Sequence, residues 1–199
     1  MLAAAPLVML ALTASTPYRT QLEGAERVPN LGRFLETYLG DCTSEDPSFD
    51  KKACNEAAAQ VQKDQNGKVF VFEVADATTM FQLKGFDKQR GIYRVAVTPF
   101  FSERALAMSV GKPQLMNADG FPVVKNVPLS VKMPEGETEF TFKRRLERGQ
   151  VTVEIMFRPK GPWTMKRKTQ PDLRGLSVQL VGIRLTQSPG ETIIAEETY

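Results

Sequence analysis

Apolar side chains first recur at a helical spacing after Asn30, where LGRFLETYLG places Leu31, Phe34, Leu35, Tyr38 and Leu39 on one face. Asn30 suits the N-cap of such a helix and Gly40 its end. A polar linker, DCTSEDPSFD, leads to Asp50, a second cap. The segment KKACNEAAAQVQKDQNG then predicts another helix, with Cys54, Ala57, Ala58 and Val61 along one stripe and Gly67 as its stop. Beyond Gly67 the period falls to two. KVFVFEV (68–74), MFQLKGF (80–86) and IYRVAVT (92–98) read as strands, the last two joined by the turn DKQRG.

RALAMSVGKPQLM and FPVVKNVPLSVKM flank the turn sequence NADG at 117–120 and predict a further hairpin. Prolines at 113, 122, 128 and 134 place these strands at sheet edges or bulges, because proline donates no ladder hydrogen bond. TEFTFKRRLERG predicts one short helix capped by Thr138, with Phe142 and Leu146 four apart. QVTVEIMF and LSVQLVGIRLT are two more strands, joined by a long loop from Arg158 to Gly175, and Ile193 and Ile194 mark an optional edge strand in the tail. Strands separated by turns, without alternating helices, predict a mainly β (α+β) fold. The expected form is an antiparallel β-sandwich of about seven or eight strands carrying an N-terminal helical pair (about 30–66) and one short inserted helix.

Residues 1–15, MLAAAPLVMLALTAS, contain no charged side chain and match the apolar core of a secretory signal, although no basic leader precedes it. The segment is shorter than the roughly 20 residues that cross a bilayer. A cleaved signal leaves a single domain over 16–199 with no later span, exported to the periplasm or secreted. The competing interpretation is a buried N-terminal segment of a cytosolic fold. Cys42 and Cys54 are the only cysteines and the chain has no histidine, so a zinc site would need carboxylates to complete it. A disulfide between them is the expected state, and it suits an oxidising compartment.

Charge is unevenly placed. Residues 1–80 carry seven cations and eleven acids, while 81–199 carry nineteen cations and twelve acids. Residues 143–168 hold nine cations against Glu147 and Glu154. Within them, RPKGPWTMKRK combines Arg158, Lys160, Lys166, Arg167 and Lys168 with Trp163, the one tryptophan of the chain. Such a mixture suits an anionic ligand held by charge and stacking. The alternative is a solvated loop anchored by an inward Trp163. The helical cations Lys143, Arg144, Arg145 and Arg148 lie a strand's length away and need not join this patch.

Without histidine, the Ser-His-acid and Cys-His catalytic systems and histidine metal sites are excluded. No nucleophile elbow, phosphate loop or dinucleotide motif occurs, and no cofactor or metal is expected. Carboxylate-only hydrolysis would draw on Glu73, Asp76, Asp87 or Glu103. A calcium loop is suggested by Asn117 and Asp119 before Gly120, and a cation site by Asp41, Glu45, Asp46 and Asp50, but the first lacks its later acidic ligand and reads better as a turn, and the disulfide already accounts for order in the second. The resulting expectation is a non-catalytic exported protein that binds another protein or an envelope component, with an anionic ligand at the basic loop. Nucleic acid is not an expected partner. The alternative is a carboxylate-based hydrolase acting on a polysaccharide.

Overall fold

The computed structural model describes residues 16–40, 42, 44, 46–74, 80–103, 105–117, 122–148, 151–167, 171–187 and 192–199. The apolar segment 1–15, read as a signal, lies outside them, as do Asp41, Glu45, Asp76, Asp119, Gly120 and Lys168. Among the described residues the chain is mainly β, with ten strands and four helices. No described helix is long and apolar enough to cross a membrane.

The helices form where their caps predict. Asn30 accepts the Arg33 amide at 2.8 Å and starts α2 (Leu31–Leu39); Asp50 accepts the Ala53 amide at 2.9 Å and starts α3 (Lys51–Gln65). Thr138 caps α4 (Glu139–Glu147), which buries Phe142 and Leu146. A further helix, α1 (Pro17–Glu23), begins with Thr16 as cap and proline in its first turn. On α3 the inward side is narrower than the spacing implies: Ala58 is buried, Cys54 is half-buried and Ala57 faces solvent.

The strands are β1 (Glu26–Arg27), β2 (Phe70–Val74), β3 (Phe81–Asp87), β4 (Ile92–Val97), β5 (Phe100–Glu103), β6 (Leu106–Val110), β7 (Val127–Lys132), β8 (Val151–Met165), β9 (Leu173–Gln187) and β10 (Thr192–Thr198). Seven of them make one sheet in the order β1-β2-β8-β9-β6-β5, and β10 also pairs with β9. One edge of β9 lies along β8 from end to end. Its other edge is divided, the first part pairing with β6 and the last part with β10. The second sheet is antiparallel, in the order β3-β4-β7.

Several expectations change. The large sheet is mixed, since β1–β2 and β6–β9 are parallel pairs whose partners lie far apart in sequence or are too short to show a period. The hairpin expected around NADG is not a strand pair of one sheet: β6 joins the large sheet and β7 the small one, leaving only a bridge between Met116 and Pro122. The long loop expected from Arg158 to Gly175 is mostly strand. β8 pairs with β2 only over Val153–Phe157, so its remaining edge needs no donors, and Pro159 and Pro162 are tolerated within it.

Inward residues of both sheets belong to one continuous core, including Phe70, Phe72, Val95, Val97, Leu129, Ile155, Phe157 and Ile183. Phe34 of α2 packs its ring 4.9 Å from Phe70 and 5.8 Å from Phe157. The disulfide joins Cys42 to Cys54, with Cα atoms 5.7 Å apart, and ties the end of α2 to α3. Gly40 is required there: its φ is +63°, and a Cβ would sit 2.9 Å from that of Ala58 and 3.2 Å from Cys42 Sγ. Arg174 of β9 donates to the carbonyls of Leu39 and Gly40, placing a cation at the C-terminal end of α2. Changing both cysteines to serine is expected to lower stability by about 3 kcal/mol through the freed unfolded chain. Denaturant titration of the oxidised protein and the variant measures it.

Candidate functional site

The end of β8 and the segment after β6 build the candidate site together. Ser109 is buried and donates its hydroxyl to the Gly111 carbonyl at 2.8 Å, while Gly111 takes a φ of +71° and its amide bonds to Val178 at 3.0 Å. This turn sends residues 112–117 away from the sheet's strand path. An open pocket of about 530 Å³ results, lined by Lys112, Pro113, Gln114, Thr164, Met165 and Lys166. Both lysines are exposed, Pro113 is buried, and no carboxylate is among the lining residues.

The basic stretch is therefore spread along a strand rather than gathered in a loop. Trp163 is only 3% exposed and packs with Ala107 and Leu173. Its ring lies over Gly175, directly across on β9, where any Cβ would overlap it. Arg158 is half-buried on β8, and Lys160 is exposed at a bulge between Pro159 and Gly161. Arg167 donates its Nε to the Pro171 carbonyl at 2.7 Å. Of the five described residues among those singled out, Lys166 alone lines the pocket. The partner it meets, Lys112, carried no local signal beyond the Gly-Lys-Pro sequence around it.

The helical cations lie elsewhere. Fifteen residues of β8 separate α4 from the pocket, roughly 45 Å at a strand's rise. They are also engaged locally: Arg145 pairs with Glu137 and donates to Gln187, Lys143 pairs with Glu147 at 3.7 Å, and Arg144 lies 5.5 Å from the Phe140 ring centroid.

The carboxylate candidates do not converge. Asp87 ends β3 and accepts the amides of Gln89 and Arg90 at 3.1 and 3.2 Å, as a turn-forming aspartate does. Glu103 lies in β5 of the other sheet, and Asp76 falls outside the described residues. Asp46 accepts the Ser48 amide and hydroxyl at 2.8 and 2.7 Å, bonds that hold its pKa below the usual carboxylate value. Glu73 is exposed on β2 and pairs in register with Glu154 on β8, so both carboxylates share one face.

Glu154 is a feature the sequence did not reveal. It is buried on the outer face of the large sheet, beneath α1. Tyr18 donates its hydroxyl to Glu154 Oε1 at 3.1 Å; Arg184 Nη1 reaches the same oxygen at 3.5 Å, and Arg27 Nη2 lies 3.6 Å from Oε2. Arg184 also bonds Glu196 at 3.2 Å and stacks 4.1 Å above the Tyr18 ring. Burial first, then the charge and hydrogen bond of Glu154, pushes the Tyr18 hydroxyl pKa well above its ordinary value. This knot fastens α1 to the sheet and leaves the carboxylate fully occupied.

No curated protein and no solved structure matches the chain. The model of DUF6066, a family of unknown function, matches residues 1–193, and the chain belongs to that family.

Proposed function

We propose that the chain is a non-catalytic exported binding protein that receives an anionic group of a protein partner or envelope component in the pocket between residues 112–114 and 164–166. The observation that carries this reading is the pairing of Lys112 and Lys166 across a pocket with no acid among its described lining residues. Pro113 and Met165 supply an apolar floor against which lysine stems can lie while their ammonium groups meet the ligand. The disulfide is in keeping with export into an oxidising compartment. Sandwich packing of the two sheets, with the helical pair at one side, completes the scaffold in this reading.

Soluble inorganic polyphosphate is the probe. A Lys112→Glu/Lys166→Glu variant is expected to bind it roughly 10- to 100-fold more weakly, and wild-type affinity is expected to fall as salt shortens the Debye length below about 10 Å. Lys51→Glu/Lys52→Glu on exposed α3 makes the same change in net charge and serves as control. Equal loss in the two variants would mean that binding follows overall charge, and the pocket reading would fail.

Hydrolysis of a polysaccharide by carboxylates is the second reading, and it would fall to exposed Glu73, since the Glu154 carboxylate in register with it is taken up by Tyr18, Arg184 and Arg27. It requires Glu73→Gln to abolish the biological phenotype in a folded protein. The binding reading requires that variant to keep it, with stability unchanged or raised, because like charges paired across strands repel.

A further inference from the structure

The outer face of the large sheet is covered in two places. Tyr18 of α1 packs on Val71, Met156 and Val181, and Met116 packs against the cluster of Ala107, Trp163 and Leu173. Between these covers lies a strip of β8 and β9. Phe157, Val178 and Leu180 point into the main core; Arg158 follows the first, Gln179 separates the other two, and the pair stands in register. Both side chains therefore face outward. Gly161 and Ser177 make the next outward row, on the side toward Trp163.

Gln179 is exposed. Arg158 is half-buried, yet among the described residues it has no hydrogen-bond or ion-pair partner. A guanidinium without a carboxylate on a sheet face keeps its donor fork for a ligand. Lys160 is exposed at the adjoining bulge. Lys112 connects this strip with the pocket: the Gly111 amide before it bonds Val178, next to Gln179, and Lys112 itself lines the pocket with Lys166. Asp172, just before β9, is the one acid between residues 155 and 180. From Leu173, across from Met165 at the pocket, to Gln179, across from Arg158, β9 covers roughly 20 Å. No single phosphate reaches both ends.

We infer that this strip extends the anion pocket, and that the ligand is a linear phosphate polyanion lying along the outer face from Lys166 past Lys112 to Arg158. This rests on the anion-pocket reading and names the class of its ligand. An acidic peptide is a poorer match. Pro159 and Pro162 give an added strand no amide donors on the open edge of β8, and Gly161, Ser177 and Gln179 offer no apolar anchor. Nucleic acid fits no better, since Trp163 is buried and no base can stack on it.

The test compares the binding of pyrophosphate and of long-chain polyphosphate, counted per phosphate, to the full chain and to two variants. Wild type is expected to hold the long chain roughly tenfold or more tightly than pyrophosphate. Arg158→Gln is expected to weaken long-chain binding roughly tenfold, to reduce the slope of log affinity against log salt by about 0.7–0.9, and to leave pyrophosphate binding at the pocket unchanged. Gln179→Glu sets a carboxylate in register with Arg158, and is expected to weaken the long chain likewise at an unchanged or higher melting temperature; it decides the matter where Arg158→Gln loses stability. Equal affinity of wild type for the two probes would overturn the extension and leave the pocket standing. So would long-chain binding that persists in Gln179→Glu but is lost in Lys112→Glu/Lys166→Glu. Tighter binding of polyaspartate than of polyphosphate would make the partner an acidic peptide and overturn the polyanion assignment. Absence of binding of either phosphate probe to wild type removes both readings.

Discussion

Trp163→Ala is expected to lower the free energy of unfolding by about 3–5 kcal/mol, the largest loss from any single side chain in the basic stretch. The ring fills a space made by the absence of a side chain at Gly175 and is walled by Ala107 and Leu173. For a chain of this size the melting temperature should fall by roughly 6–20 °C, readable in a thermal melt. Gly175→Ala should also destabilise, because the new methyl occupies the ring's position. The double variant is expected to cost less than the sum of the two, the signature of direct contact in a double-mutant cycle. Trp163→Phe should be milder, since it keeps an aromatic ring and removes a buried Nε1 that has no partner among the described residues. Equal stability of wild type and Trp163→Ala would contradict the burial of this residue.

The second large effect is expected at Glu154. Glu154→Ala should destabilise by about 3–5 kcal/mol, because removing one member of a buried ionic group leaves its partners desolvated. Arg184 would retain Glu196, whereas the Tyr18 hydroxyl would lose its carboxylate acceptor and keep only the longer contact to the residue 154 carbonyl at 3.5 Å. The same knot sets an alkaline limit. Tyr18 is raised above its ordinary 10.0 in the folded chain, so the folded state keeps a proton that the unfolded state releases. That contribution to stability is complete below about pH 10 and declines as pH climbs from the unfolded value toward the folded one. Tyr199, pushed up to about 12 by burial and then by Glu197, adds a smaller slope in the same direction. Denaturant midpoints between pH 8 and 12 should therefore fall, and Tyr18→Phe should flatten that fall. A midpoint independent of pH in this range would argue against the buried hydroxyl.

Local chemistry made much of the scaffold legible. Asn30, Asp50 and Thr138 are caps whose hydrogen bonds can be read from residue type and position, and all three helices begin where they stand. Alternation found the strands around Phe72, Val95 and Ile183, because each sends every second side chain there into the main core. Partner choice is a different matter. Nothing local in LAMSV says that it lies parallel to LSV some seventy residues later, and nothing in KPQ says that Lys112 will meet Lys166. Proline and glycine misled for a physical reason: Pro159, Gly161 and Pro162 break a ladder only where both strand edges need donors, and that half of β8 has a partner on one edge. Gly175 likewise marks a place for an indole ring rather than a loop. Glu154 and Arg184 look like ordinary outward charges on alternating strands until α1 is seen to cover them.

The placing of β8 and β9 at the centre of the large sheet bears on when this chain folds. Both strands come from its last quarter, and every other member of that sheet except β10 is made before them. During synthesis, β1 and β2 on one flank and β5 and β6 on the other are not joined until β8 and then β9, which ends at Gln187, have emerged. At translation rates of about 5–20 residues per second, the stretch from Val151 to Gln187 takes roughly 2–7 s. Throughout that interval the nascent chain lacks the strands that join its two flanks, so assembly of the core waits for β9.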